Sequence, residues 1–296
     1  MNIIKHKNIY LGISLALVVA SLAGIIAFGL REGIDFQGGT LWQMRVPQSV
    51  EDEALTAFFL EKFGQNISLT REISSGSVSV RLGTISEVEH QEYLLAIKER
   101  FGEVSELAFQ SIGPSIGKEL KNKAMRAFVF AIIGISLYIA YAFRKVSKPV
   151  NSWKFGVVAL VTLFHDAIIP LGMLSFLGYY KGVEIDTSLI VSLLVIVGFS
   201  VHDTIVVFDR IRENLLAERG RRDFGEVVDA SINQTFARSI NTSMTLFLML
   251  VALYVAGPPS LHYFVLTILV GTLAGAYSSI FVASPLLVVW ERFSRK

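Results

Sequence analysis

The sequence predicts a membrane protein in which an all-α bundle of six transmembrane helices carries one α+β ferredoxin-like domain, inserted between residues 31 and 123. Three observations lead there. Hydrophobic residues fill 52% of the 296 positions and the mean hydropathy is +0.55, more apolar than a domain with a water-facing surface. Six stretches are each near the roughly 20 apolar residues that a helix needs to cross a bilayer. Between the first and second of them the composition turns polar, and the spacing of apolar residues alternates between strand-like and helix-like.

The spans are Ile9–Leu30, Ala124–Phe143, Phe155–Leu177, Thr187–Phe208, Ile240–Val255 and Tyr263–Trp290. The fifth is short and borrows residues from its N-terminal flank, while the last is long enough to tilt or run past the interface. A cleaved signal peptide is the alternative for the first, given its basic start and the small residues near Ala20–Ala23. Its apolar run is too long for a signal core, and its removal would leave an odd number of spans.

Basic residues set the orientation. Lys5 and Lys7 precede the first span; Arg144, Lys145, Lys148 and Lys154 separate the second from the third; Arg210, Arg212, Arg219, Arg221 and Arg222 follow the fourth; Arg292, Arg295 and Lys296 close the chain. The short third-to-fourth connection holds only Lys181 and the fifth-to-sixth none, so both termini are expected on the cytoplasmic side and residues 31–123 on the periplasmic or extracellular side. The expected domains are residues 1–30, with the first span; 31–123, the outer domain; and 124–296, the remaining five spans.

In the polar segment, Thr40–Val46, Asn66–Ile73, Ser77–Leu82 and Val104–Ile112 read as strands, and Val50–Phe63 and Glu87–Phe101 as helices. Ser49 and Ser86, each with an acid three residues on (Asp52, Glu89), predict capping boxes. Gly38-Gly39 predicts a tight turn into the first strand. The order strand–helix–strand–strand–helix–strand is the split βαβ pattern, which hosts many functions and names none.

Composition excludes several chemistries. With no cysteine there is no disulfide, thiolate nucleophile, Cys-ligated zinc or iron–sulfur cluster, and the net charge of +2 gives no reason to expect nucleic acid. No G-x-x-x-x-G-K-[ST], H-E-x-x-H or G-x-S-x-G is present, so an enzyme reading has no support and no cofactor is implied.

Ionisable side chains inside spans cost several kcal/mol by most measures, which makes each a functional candidate. His165 and Asp166 lie mid-way along the third span, before Pro170. His202 and Asp203 lie in the fourth, Asp209 closes it, and Arg238 stands at the mouth of the fifth. Asp203 is too deep to be solvated without a partner or a wet crevice. Arg238 is expected at a similar depth, where its guanidinium can pair with the Asp203 carboxylate and be released when that group gains a proton. The alternative is a static bridge that fixes helix register. His202 is rotated about 100° from Asp203. His165 and Asp166 are expected either to relay protons or to hydrogen-bond between helices, and Asp209 to be a solvated helix end or a gate. Gly271-xxx-Gly275, with Ala276 and Ser279, predicts a helix-packing face.

These segments together resemble a known family. Gly33-Ile-Asp-Phe-Gln-Gly-Gly-Thr40 resembles the GIDFxGGT signature of the SecF family of protein-export membrane proteins, and Ile112-Gly-Pro-Ser-Ile-Gly-Lys-Glu-Leu120 its motif before the second span. Residues 198–214 (GFSVHDTIVVFDRIREN) and 233–243 (NQTFARSINTS) are similar to its fourth- and fifth-span motifs. His202, Phe199, Ser239 and Asn241 depart from the usual residues, and His202 sets a second titratable group beside Asp203.

The resemblance implies a subunit of a SecDF complex in the bacterial inner membrane that uses the proton-motive force to assist export through SecYEG. It implies half of an RND-type fold, with Asp203 and Arg238 at the positions tied to proton coupling. The partners it implies are a SecD-like subunit, the SecYEG translocon, YajC and YidC, and the unfolded exported polypeptide, besides membrane lipid. Two rivals stay open: an RND-type proton-coupled exporter of small molecules, for which the outer domain is small, and a structural subunit without proton coupling.

Overall fold

The computed structural model describes residues 2–72, 76–143, 151–218 and 221–295. Ile73 at the end of the second predicted strand, and the basic residues Arg144, Lys145, Lys148, Arg219 and Lys296, lie outside them. In chain order the elements are α1 (Lys7–Phe28), α2 (Ile34–Gln37), β1 (Gly39–Arg45), α3 (Asp52–Phe63), β2 (Ser68–Glu72), β3 (Ser77–Leu82), α4 (Glu87–Phe101) and β4 (Ser105–Ile112). There follow α5 (Pro114–Ala142), α6 (Ser152–Lys181), α7 (Thr187–Glu218), α8 (Phe224–Ala256), α9 (His262–Ser278) and, after a π-helical turn at Ser279–Ala283, α10 (Ser284–Arg295). The chain divides into two compact units, Met1–Arg31 with Arg126–Lys296, and Glu32–Met125.

The smaller unit is a four-stranded antiparallel sheet in the order β2-β3-β1-β4, the arrangement that the split βαβ pattern calls for. Alternate residues point into its core: Thr40, Trp42 and Met44 from β1, and Val78, Val80 and Leu82 from β3. Onto them pack Leu55 and Phe59 of α3 and Tyr93 and Ile97 of α4, each pair one helical turn apart. Trp42 is wholly buried and meets Phe59 and Phe109 edge-on; truncating it to alanine costs about 3–5 kcal/mol.

One predicted capping box forms and the other does not. The Ser86 hydroxyl accepts from the Glu89 N–H, and the Glu89 carboxylate takes the Ser86 N–H at 2.7 Å. At the other site the Val50 N–H donates to the Pro47 carbonyl, so Ser49 sits in a turn and α3 starts three residues later, with Glu51 at its N-cap. Asp52 instead receives Arg71 of β2 at 2.6 Å, and Arg71 also donates to the Val50 carbonyl. A cation across the domain outcompetes the local cap.

The Gly38-Gly39 turn is required sterically. Both residues have positive φ, 78° and 118°, and a Cβ on Gly38 would lie 2.8 Å from the Pro114 Cα. Gly117 meets the Gly38 N–H and the Phe36 carbonyl as closely. The motif before β1 and the motif after β4 are therefore two sides of one contact.

The larger unit is the membrane bundle. Six helices are long and apolar enough to cross a bilayer: Ile4–Phe28, Pro114–Ile139, Ser152–Lys181, Thr187–Glu218, Phe224–Ala256 and His262–Ser294. In the third, fourth and sixth, 56%, 50% and 67% of the most apolar stretch is buried, against 6% in the first two, so α6, α7 and α9 form the inner layer. Small residues allow close approach: a Cβ on Gly271 of α9 would strike Ile196 of α7 at 2.3 Å, and one on Gly172 of α6 would strike Ser21 of α1 at 2.4 Å. The face predicted at Gly271 and Gly275 is thus the α9 side of the α7 contact.

The fifth span is extended as expected, and the last differs in detail. α8 takes its extra length from the N-terminal flank and begins at Phe224, where the Asp223 carboxylate caps the Gly225 N–H. Arg238 consequently lies within α8 rather than in its first turn. The last span is interrupted by the π turn just before Pro285, a residue without the N–H that a regular turn requires.

Candidate functional site

Two carboxylates are sealed in the bundle. Asp166, on α6, is wholly buried and collects three side chains: the Ser200 hydroxyl from α7, the Ser278 hydroxyl from α9 at 2.7 Å, and its neighbour His165, whose Nδ1 is 2.7 Å away. Three helices meet at this one side chain. The far ring nitrogen of His165, Nε2, is buried and has no partner among the described residues.

Asp203, on α7, is 1% exposed and has a thinner shell. The Ser243 hydroxyl of α8 donates to its Oδ2 at 2.9 Å. His202 points its ring outward, more than half exposed, with Nδ1 still 3.7 Å from Oδ1. That separation is too long for a hydrogen bond.

The pairing expected between Asp203 and Arg238 is not formed in this arrangement. Ser239 and Ser243 hold the face of α8 that is buried, and Arg238 is rotated about 100° from Ser239, which turns its exposed guanidinium away from Asp203. It lines instead a polar cleft of about 370 Å³ with Val206, Asp209, Arg210, Glu213, Gln234 and Thr235.

The cleft opens between α7 and α8 at their Arg-rich end and is tied across by Arg210 to Gln234 at 2.6 Å and by Asn214 to Gln234 and Ser231. Along α7, Asp203, Val206, Arg210 and Glu213 fall on one face, so the cleft ends one helical turn from Asp203. Asp209 bonds Arg212, three residues on, at 2.7 Å. Among the described residues no group of His, Asp and Glu is arranged to hold a metal ion.

The acids stood out in the sequence; their hydroxyl partners Ser200, Ser243 and Ser278 did not. The signal available was spacing. Ser231, Thr235, Ser239 and Ser243 recur every fourth residue of α8 and all are buried.

Helices of this length and apolarity, enclosing two hydroxyl-bound carboxylates and joined to an α+β domain, define a multi-pass membrane protein with titratable groups in its core. Residues 93–293 match the C-terminal family model of the protein export membrane proteins SecD/SecF, and residues 23–50 match the SecD/SecF GG motif. The chain belongs to the SecD/SecF family. It is 41% identical to protein translocase subunit SecF of Thermobaculum terrenum, over 98% of this chain and 94% of that one, and 35% identical to the SecF of Anaerolinea thermophila over the same shares. The crystal structure of SecDF from Thermus thermophilus, a translocon-associated membrane protein, superposes with a TM-score of 0.84 at 34% identity. That match covers 99% of this chain and 39% of the SecDF chain. A super-membrane-facing form of SecDF gives a TM-score of 0.70.

Proposed function

We propose that the chain is the SecF-type half of a SecDF assembly that draws on the proton-motive force to assist protein export through the SecYEG channel. Its partner is a SecD-like subunit: the SecDF relative from Thermus thermophilus is matched over 37% of its length and supplies the other half within one chain. YajC and YidC are further candidates. On the distribution of Lys and Arg, both termini face the cytoplasm and the α+β domain faces outward, where it meets the emerging unfolded polypeptide.

The observation that carries the coupling is the shell of Asp203. A carboxyl that holds its proton is neutral and needs no counter-charge, whereas a bare carboxylate inside the bundle does. Arg238 stands nearby on the next helix, on the cleft side. Loss of the proton draws Arg238 toward Asp203 and shifts α7 against α8; reloading releases it. One charge crossing 100 mV is worth about 2.3 kcal/mol, enough to shift a two-state equilibrium more than tenfold.

His202 and Asp209 flank the step, the first as an exposed titratable neighbour and the second as part of the cleft. His165 and Asp166 tie α6, α7 and α9 into one frame, against which α8 shifts. The test is export of a secreted reporter by cells carrying Asp203→Asn or Arg238→Met in place of the natural chain. Both variants are expected to insert, co-purify with the SecD-like subunit and fail to support export; wild-type export by either refutes the coupling.

A further inference from the structure

Four hydroxyls, Ser231, Thr235, Ser239 and Ser243, stand one above another on the buried face of α8. By itself such a row means little, because serine and threonine in a helix ordinarily bond the carbonyl four residues back. Ser231 does so to Val227 and Thr235 to Ser231. Ser239 does not. Ser239 is 2% exposed, its hydroxyl has no partner among the described residues, and it sits between Thr235, which lines the polar cleft, and Ser243, which holds Asp203.

Leaving a buried hydroxyl unpaired costs stability, and alanine would remove that cost. On α7 the cleft ends at Val206, one turn from Asp203; on α8 the next buried positions beyond Thr235 are Ser239 and then Ser243. Both helices place Ser239 between water and acid.

We infer that the buried hydroxyl face of α8 is the proton path between the cleft and Asp203, with Ser239 as its indispensable link. Successive positions on one helix face are about 5–6 Å apart at Cβ, a gap that one water drawn from the cleft can span with two hydrogen bonds. A proton moves along such a line by relay. Each oxygen takes a proton on a lone pair as it gives up the one it carried, so Thr235, Ser239 and Ser243 are unchanged after each passage and only the charge on Asp203 differs. At the cleft end the line opens among the polar groups Asp209, Glu213 and Arg238.

This inference rests on Asp203 being the coupling acid, and the test separates the two. The chain is reconstituted with its SecD-like partner in lipid vesicles, and proton flux under an imposed gradient is read with an internal pH dye. Ser239→Ala is expected to lower flux at least tenfold while thermal unfolding of the complex stays unchanged or moves up. Ser239→Thr, which keeps the hydroxyl, is expected to retain it.

Wild-type flux in Ser239→Ala beside absent flux in Asp203→Asn overturns the path and leaves Asp203 in place. Equal loss in Ser239→Ala and Ser239→Thr overturns it too, since the hydroxyl is then irrelevant. Wild-type flux in Asp203→Asn overturns the reading beneath it. Because the chain has no cysteine, Ser239→Cys supplies a single thiol for an independent check. A small charged methanethiosulfonate is expected to label it from the cleft side, and full protection contradicts a water-connected path.

Discussion

Asp166 and Asp203 are both sealed in the same bundle, yet one is gripped by side chains from three helices and the other by a single seryl hydroxyl. The first has no unfilled role: its contacts fix α6, α7 and α9 to one another. The second lies at the seam between α7 and the less buried α8, one turn from a polar cleft. On the proposed coupling, the two buried acids do different work according to the number of donors around each. A saturated carboxylate is a fastener, and an under-coordinated one can change state.

The largest effects that divide them are functional. Asp203→Asn keeps an acceptor for Ser243, so we expect the unfolding midpoint of the detergent-solubilised complex to hold while vesicle proton flux falls at least tenfold. Asp166→Ala should do the reverse. It strands two seryl hydroxyls and a buried imidazole, which costs about 3 kcal/mol and lowers the midpoint, while the folded fraction keeps its flux. A fall in flux with no change in stability for Asp166→Ala breaks the division.

Smaller effects sharpen it. Ser278→Ala removes one of three donors from Asp166 and should cost about 1 kcal/mol, visible as a lower unfolding midpoint without loss of flux. Ser243→Ala removes the one donor of Asp203 and should slow flux severalfold at little cost in stability. Interchanged outcomes for these two serines contradict the account.

An acid in water sets the lower end of the scale. The Ser86 backbone N–H and hydroxyl both donate to Glu89 and hold its carboxyl below the ordinary glutamate range. A lowered folded value means that the contribution is present above the 4.5 of a free glutamate and is lost as pH falls through the lower folded value. Protection of the first turn of α4 against hydrogen exchange should fall across that window, and Ser86→Ala should weaken the dependence while leaving the share held by the Ser86 backbone N–H. The change is small because the group is exposed and screened.

Much of this was legible in the residues. Span number, strand order, the Gly38-Gly39 turn and the Ser86 cap follow from periodicity and local chemistry, and Asp203 announced itself as an acid in an apolar run. The rest was decided at a distance. Asp52 bonds Arg71 on another element rather than capping its own helix, and what Arg238 faces in this arrangement is set by its angle around α8, which depth along the chain does not give. The seryl hydroxyls that hold the acids were hidden because a serine in a membrane helix usually bonds its own backbone, and only folding brings Ser200 and Ser278 from two helices onto Asp166. The interruption of the last span had a visible cause in Pro285.

The most direct test is whether Asp203 itself gains and loses a proton. Infrared difference spectra of the reconstituted complex, recorded across a pH step, resolve the carbonyl stretch of a protonated carboxyl. We expect a carboxylic-acid band that vanishes as pH rises, is missing from Asp203→Asn and persists in Asp166→Asn. A pH-dependent band that survives Asp203→Asn unchanged contradicts the account.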